Sequence, residues 1–535
     1  MIAVPDLSLV NGRIMALDKH SAQPTAILAR DGRIVAVGTD EDIDSLAAPG
    51  TESIDLGGQR VLPGLTDAHF HFYDWSLRRR CLQLGDIASL AALQRRLAAA
   101  AQGVSPGRWI QGQGWNETMW NSARIPTGAD LDAATPVHPV ILWRSDLHLA
   151  VANSRALQAA GIDEGTLDPL RGVIDRDEHG RPTGVLRELA INLVSDAIPP
   201  ASEDETVAAM KAAALDLYRL GITGLHDFRI MGGRDGPPAF RAYQRLQAEE
   251  ALPSRIWMNL PGEQLSEAIA LGLRTGLGDD FLRVGHVKLF ADGAQGARTA
   301  WMMQPYEDTG DCGMPLMPPE EIEAASGRAD AAGLAVAIHA IGDRATSEVV
   351  SLLGRLPRVG PRPAAPHRIE HAQFMRPADC RRLGRRHVVA SVQPRHLVDD
   401  MALMGPSVGA RARYAYAFRA LADAGVVLAF GSDCPVADPN PLLGIEAAVT
   451  RQRPDGTPPG GWYPAQRLRV AEAIEAYTRG PAVATGQERR FGAIAPGMAA
   501  DLVVLDKDIL AVNPESIHDI RVVLTILNGR IVYRL

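Results

Sequence analysis

One alternation constrains this chain more than any other feature. Eight short apolar runs recur along it, most ending in polar residues: 61–71, 222–228, 255–260, 284–292, 334–341, 367–373, 388–394 and 426–434. Ala-, Leu-, Glu- and Arg-rich stretches of helical character follow most of them, as at 320–332 and 347–356. A strand, a crossover helix and a second strand return the chain in one direction, so such strands lie parallel. Eight repeats of this unit predict an α/β chain folded as a (β/α)8 or TIM barrel.

The connection between the first and second runs breaks the rhythm. It covers about 150 residues, where most connections have only a few. It has strand-like pieces of its own at 109–115 and 140–148, and a hairpin running from 172–175 through His179-Gly180 to 184–186. These mark an inserted subdomain at about 72–220. A loop leaving the first barrel strand emerges at the C-terminal face, so the insertion is expected near the active-site mouth. The chain ends differ again. Asn11-Gly12, Asp31-Gly32 and Asn528-Gly529 sit between apolar runs, a strong signal for hairpins. Residues 1–58 and 488–535 are therefore expected to pair as one composite β-sandwich, with the barrel spanning 59–487.

Charge and cysteine content narrow the function class. Lys and Arg total 55 against 63 Asp and Glu, a formal net charge of −8. Affinity for phosphate rests on surplus cations, so no nucleic-acid partner is expected. Cys81, Cys312, Cys380 and Cys434 contain no CxxC pair, which excludes a Cys-rich zinc module and a disulfide framework. Such usage suits a reducing cytoplasm. The start has no basic segment followed by an apolar one, and no apolar run approaches the ~18 residues of a membrane span. The expectation is a cytoplasmic protein with a small-molecule substrate and no membrane partner. A homodimer is the default assembly for such a chain.

The chemistry starts at Asp67-Ala68-His69-Phe70-His71, which closes the first run. Residues i and i+2 of a strand share a face, so both imidazoles can reach one divalent metal ion. A lone HxH is common in cores and on surfaces. Weight comes from four further runs that carry a candidate ligand near their ends: Lys288, His339, His371 and Asp433, in the fourth, fifth, sixth and eighth runs. Barrel geometry brings those strand ends together.

Each residue also has a plainer reading. Lys288 can pair with Asp292, since a buried ammonium needs a partner. His339 or His371 alone can be a hydrogen-bonded core histidine. His226, His286 and His148 carry weaker signals, and the first two are left unassigned. Gly405-Pro406-Ser407-Val408-Gly409 matches a serine nucleophile elbow, but no β run precedes it and proline sits before the serine. Cys434 should face away from the pocket by strand alternation.

The order of these residues resembles the amidohydrolase superfamily: HxH on strand one, Lys on four, His on five and six, Asp on eight. Finer phrases narrow the resemblance to the amidohydrolase-3 group, which includes enzymes similar to N-substituted formamide deformylase. They are Leu62-Pro63-Gly64-Leu65-Thr66-Asp67, Gly112-Gln113-Gly114-Trp115, Asn153-Ser154-Arg155-Ala156-Leu157, Lys288 through Asp292-Gly293, His339-Ala340-Ile341-Gly342-Asp343, Arg368-Ile369-Glu370-His371-Ala372 and Gly431-Ser432-Asp433. The likeness covers nearly the whole chain.

It implies metal ligation by His69, His71, Lys288, His339, His371 and Asp433. It further implies two divalent cations, zinc being expected, bridged by a CO2-derived carbamate on Lys288. The implied reaction is hydrolysis of an amide-like C–N bond, in an N-substituted formamide or N-acyl compound, by a metal-activated hydroxide. Asp433 would serve as general base and acid. Trp115, His148 and Arg298 are assigned to the substrate pocket. One rival is a single-metal deaminase or other C–N hydrolase with Lys288 unmodified. Another is a degenerate barrel that binds without catalysing, disfavoured because no member of the ligand series is missing.

Overall fold

Hydrogen bonding joins eight parallel strands into one sheet. They are β1 (Leu65–Phe70), β2 (Ile222–Asp227), β3 (Arg255–Pro261), β4 (Leu282–Phe290), β5 (Val336–Ala340), β6 (His367–His371), β7 (Val388–Val392) and β8 (Leu428–Phe430). The computed structural model describes residues 6–16, 24–117, 120, 124–144, 149–169, 172–356 and 362–535. Each strand pairs with its neighbour in sequence, and a parallel bridge between Phe70 and Cys434 connects the two ends of the sheet. The result is a nearly closed TIM barrel. Its strands are largely buried on both faces, as in β5, where Val336, Ala337 and Ile338 are all fully buried. Register sets Phe290 beside His339 and His339 beside Glu370. Neighbouring strands thus deliver functional side chains at about one height.

The first apolar run, expected as one strand over 61–71, is two strands in different sheets. Arg60–Pro63 pairs antiparallel with Leu502–Leu505, while Leu65 begins the barrel. Gly64 is the switch. Its N–H donates to the Asp501 carbonyl at 2.7 Å. A Cβ there would lie 2.2 Å from Thr223 Oγ1 and 2.9 Å from Asp501 Cβ. Only glycine lets the chain pass between the two sheets.

The terminal segments form two further sheets. Four strands (Leu7–Val10, Ala26–Arg30, Arg33–Gly38 and Glu52–Asp55) make one. Arg13–Ile14 and Arg60–Pro63 join Leu502–Leu505, Val522–Leu527 and Arg530–Arg534 in the other. Leu7, Leu9, Ile27 and Ile34 pack with Val61, Leu502, Val504, Leu524 and Ile526 in one buried cluster. Both chain ends thus share one β-sandwich. Arg255 of β3 holds Asp501 through two hydrogen bonds of 2.6 and 2.9 Å, which pins the barrel to the sandwich strands.

Residues 76–209 form a compact unit apart from residues 1–75 and 210–535. It is built on a six-stranded sheet that includes Ile110–Trp115, Val140–Arg144 and the hairpin Gly172–Arg176 with Pro182–Glu188. Leu84, Leu93, Leu97, Leu142 and Val151 lie at the centre of a core belonging to this unit alone. Among the described residues no helix is long and apolar enough to cross a membrane.

The switch at Gly64 is testable. Gly64→Ala should cost about 1–3 kcal/mol, the usual price of forcing a methyl into a filled space. Thr223→Ala in the same chain should recover part of that loss. Strictly additive losses in urea denaturation would show that the crowding lies elsewhere.

Candidate metal centre

Strand alternation puts Asp67 and His69 on one face of β1. Asp67, fully buried, accepts hydrogen bonds from the backbone N–H of His69 at 3.0 Å and of Ser432 at 3.1 Å. It therefore ties the end of β1 to the residues after β8. The Asp433 N–H donates to the His69 carbonyl at 2.7 Å, and the His71 N–H to the Cys434 carbonyl at 2.9 Å. Asp433 and His371 both adopt left-handed backbone, with φ of +61° and +68°. Non-glycine residues seldom do so, and such outliers gather at functional sites.

Ligand atoms of His69, His371 and Asp433 lie within 4.8 Å of one another, all on buried residues. His69 Nδ1 is 2.6 Å from Glu370 Oε2, so it is the protonated nitrogen and Nε2 keeps its lone pair. His371 Nδ1 is likewise 2.8 Å from Gln393 Oε1. Both rings therefore have a lone pair on Nε2, the arrangement that outer acceptors impose on metal-binding histidines. The donor set fits a divalent cation.

The other candidate ligands stand close by. His71 Nε2 is 2.9 Å from Asp433 Oδ1, and His69 Nε2 is 3.5 Å from the same oxygen. The His339 ring lies 4.4 Å from that of His371, with Nε2 3.1 Å from the Gly293 carbonyl oxygen. Lys288 Nζ sits over the rings of Phe228 and Phe290, at 4.9 and 4.8 Å. Three of the six residues thus form the tight group, His71 joins it through Asp433, and His339 and Lys288 flank it.

Burial sets the protonation states. It lowers His69 to about 4 and His339 to about 3, the Lys288 charge adding to the effect, so both imidazoles are neutral. Burial also pushes Asp433 upward, but His69, His71 and His371 outweigh it and hold the carboxyl well below its usual range. His71 loses from burial and gains more from Asp433, so it is raised. Burial lowers Lys288 to about 8, against the pull of the Glu370 and Asp433 charges.

Other residues matter that sequence reasoning left without a role. Arg368, fully buried, donates to both oxygens of Glu370 at 2.6 and 3.1 Å and to the Ala68 carbonyl at 2.7 Å. Its third arm reaches His226 Nδ1 at 2.7 Å, which gives His226 a place in this network. The signal was present in β6: Arg368 and Glu370, two apart, share a face of a strand that burial leaves little water to solvate. His286 bonds the Trp257 indole and the Pro366 carbonyl. Asp292 accepts the N–H groups of Trp301, Ile341 and Gly342 at 2.8, 3.0 and 2.8 Å, so it holds two loops rather than Lys288.

Two of the three pocket residues expected from sequence are engaged elsewhere. Trp115 is fully buried in the core of the 76–209 unit, with its indole N–H bonded to the Leu142 carbonyl at 3.0 Å. Nothing of it is left to offer a substrate. Arg298 is spent on its own loop, paired with Asp308 at 2.7 Å and bonded to the Gln295 carbonyl at 2.8 Å. His148 lies outside the described residues. Ser407 sits inside the helix Pro394–Val408, donating to the Leu403 carbonyl at 2.6 Å, which removes the serine-nucleophile reading. Cys434 is buried, its thiol held well above its ordinary pKa by that burial.

Comparison with known proteins identifies the family. The profile of the Amidohydrolase family matches residues 52–533. The putative amidohydrolase YtcJ of Bacillus subtilis is 32% identical, with 98% of each chain covered. The N-substituted formamide deformylase of Arthrobacter pascens is 26% identical over all of this chain and 99% of its own. An uncharacterized metal-dependent hydrolase from Pyrococcus horikoshii superposes with a TM-score of 0.79 at 28% identity, covering 95% of this chain and 99% of its own.

The buried lysine has a measurable consequence for the metal-free, CO2-free protein. Its folded value near 8 lies below the ordinary 10.5, so the unfolded chain holds the proton more tightly and stability rises with pH between those values. The difference of 10.5 − 8 units corresponds to about 3 kcal/mol of cost at pH 7. Metal-free Lys288→Met should therefore melt above metal-free wild type at pH 7, with the gap closing as pH rises past 8. A variant less stable than wild type at every pH would contradict this.

Proposed function

The chain belongs to the amidohydrolase family, and from that premise we propose that it hydrolyses an amide-like C–N bond of a small molecule, an N-substituted formamide or N-acyl compound. Metal-dependent hydrolysis of carbon–nitrogen bonds is the activity of the family. The observation that carries the site is the buried group of His69, His371 and Asp433, its two imidazoles fixed by Glu370 and Gln393 with Nε2 lone pairs available. The narrower substrate class draws on the likeness to the formamide deformylase.

A divalent cation bound there would make water acidic enough to ionise near neutral pH and would polarise a carbonyl. Zinc suits a neutral imidazole and carboxylate set. The chain supplies the rest. Asp433, kept ionised by the surrounding histidines, takes a proton from the attacking water and gives it to the leaving nitrogen. Water and amide become a carboxylic acid and an amine. Glu370 and Gln393 hold the two rings in place while this happens.

Lys288 completes the reading. A buried amine that titrates near 8 is available in neutral form to attack CO2, giving a carbamate and releasing one proton. The resulting anion, with His339 beside it, would suit a second cation. A single-metal deaminase or other C–N hydrolase is the alternative, favoured by one observation: the tight group of His69, His371 and Asp433 is sized for one ion, with His339 outside it.

Elemental analysis of protein prepared with zinc separates the two readings. About two ions per chain are expected if the carbamate forms and about one if it does not. His69→Ala should lower the count, and metal-free protein with full activity would overturn both readings. Release of amine from a panel of N-substituted formamides and N-acyl amines tests the substrate class, and no turnover of any member would reject it.

Asp433→Asn tests the proton carrier. Asparagine keeps the shape but accepts no proton. The variant should keep its fold and at least one metal ion, yet lose on the order of 10²–10⁴ in kcat. Near-normal kcat with an unchanged pH profile would remove Asp433 from that role.

A further inference from the structure

Buried polar side-chain atoms without a hydrogen-bond partner are costly, about 1–3 kcal/mol each, and folded proteins keep few of them. Among the described residues, three such atoms belong to or stand beside the candidate ligands: His71 Nδ1, Gln393 Nε2 and His396 Nε2. Such a cluster marks where a ligand would supply the missing partners.

His396 is the one placed against the reacting groups. It lies in the first turn of the helix Pro394–Val408, and its ring runs nearly parallel to that of His371, 6.1 Å away with 14° between planes. Its Nε2 stands 3.7 Å from Asp433 Oδ2, beyond hydrogen-bonding range. The other oxygen, Oδ1, faces His71 and His69. Asp433 therefore has two different sides: one turned to the histidines of the metal set, the other to an imidazole nitrogen with no partner. A group held at the Asp433 carboxylate and the metal set comes within reach of His396 Nε2.

We propose that His396 touches the substrate, its Nε2–H donating a hydrogen bond to the scissile carbonyl oxygen as negative charge develops there. This deepens the C–N hydrolase reading and rests on it. A fixed donor aimed at developing charge, in a site shielded from water, strengthens in the transition state and acts mainly on kcat. The sequence carried only a weak hint, a histidine two residues after the Gln393-Pro394 pair at the end of a barrel strand.

Zinc-loaded, full-length wild type, His396→Leu and His396→Gln would be compared in three measurements: zinc content, binding of acetohydroxamate by calorimetry, and turnover of N-phenylformamide by aniline release. Glutamine is chosen because its amide nitrogen can stand near the position of the imidazole Nε2. His396→Leu should keep its zinc, bind acetohydroxamate about tenfold or more weakly, and lose on the order of 10²-fold in kcat with little change in KM. His396→Gln should recover most of both losses.

Wild-type affinity and kcat in His396→Leu would overturn the proposal. So would a loss of zinc in step with activity, a glutamine variant no better than leucine, or no hydroxamate binding by zinc-loaded wild type. If His396→Leu fails to fold, His396→Gln is compared with the shorter His396→Asn: impairment in asparagine alone supports the contact, and equal behaviour overturns it. Wild type that binds zinc and acetohydroxamate but turns over no amide defeats the C–N reading, while the hydroxamate affinities still decide the role of His396.

Discussion

The candidate site depends on the seam between β1 and β8. Eight strands can bring their C-terminal ends to one place only if the first meets the last, and here Asp67 does the joining. Its buried carboxylate accepts backbone N–H groups from His69 and Ser432, and the Asp433 N–H returns to the His69 carbonyl. Burial pushes the Asp67 carboxyl up to about 7, and the hydrogen bonds from Ser432 and His69 work against that rise. Gly431 makes the close approach feasible, since a Cβ there would stand 2.4 Å from the His69 nitrogen. Two candidate ligands far apart in sequence, His69 and Asp433, thus owe their proximity to one carboxylate and one missing side chain.

Beneath the ligands lies a polar network. Arg368 links Glu370, His226 and the Ala68 carbonyl, and Glu370 in turn fixes His69. A buried guanidinium and carboxylate cost much to desolvate and contribute little net stability unless their bonds are well satisfied. Here both oxygens of Glu370 and all three nitrogens of Arg368 have partners. The return is orientation: the imidazole of His69 is held in one tautomer. Asp292 acts in the same way at a distance, gathering backbone N–H groups from two loops beside His339.

Much of this was legible in the residues. Alternating runs and helices foretold the eight-stranded barrel, and the HxH, lysine, histidine and aspartate series pointed to its strand ends. Asp31-Gly32 and Asn528-Gly529 foretold terminal hairpins, whereas Asn11-Gly12 joins strands of two different sheets. What escaped detection involved three-dimensional closeness without a local pattern. The change of sheet at Gly64 depends on Thr223 and Asp501, far away in the chain. Trp115 looked like a pocket residue, because an aromatic beside glycines at the end of a strand can face a ligand or a core equally well; neighbouring core side chains decided for the core. Arg298 looked free until Asp308, ten residues on, proved to hold it. His396 carried no metal-ligand spacing, and only its position opposite Asp433 singles it out.

Anomalous diffraction at the zinc edge, on crystals grown with zinc, tests the central claim most directly. The account predicts a peak at coordination distance from His69 Nε2, a His371 ring nitrogen and an Asp433 carboxylate oxygen. It also predicts the His69 Nδ1–Glu370 and His371 Nδ1–Gln393 contacts unchanged. No peak at this site, or a peak elsewhere in the chain with His69 and His371 still bonded only to protein atoms, would contradict it.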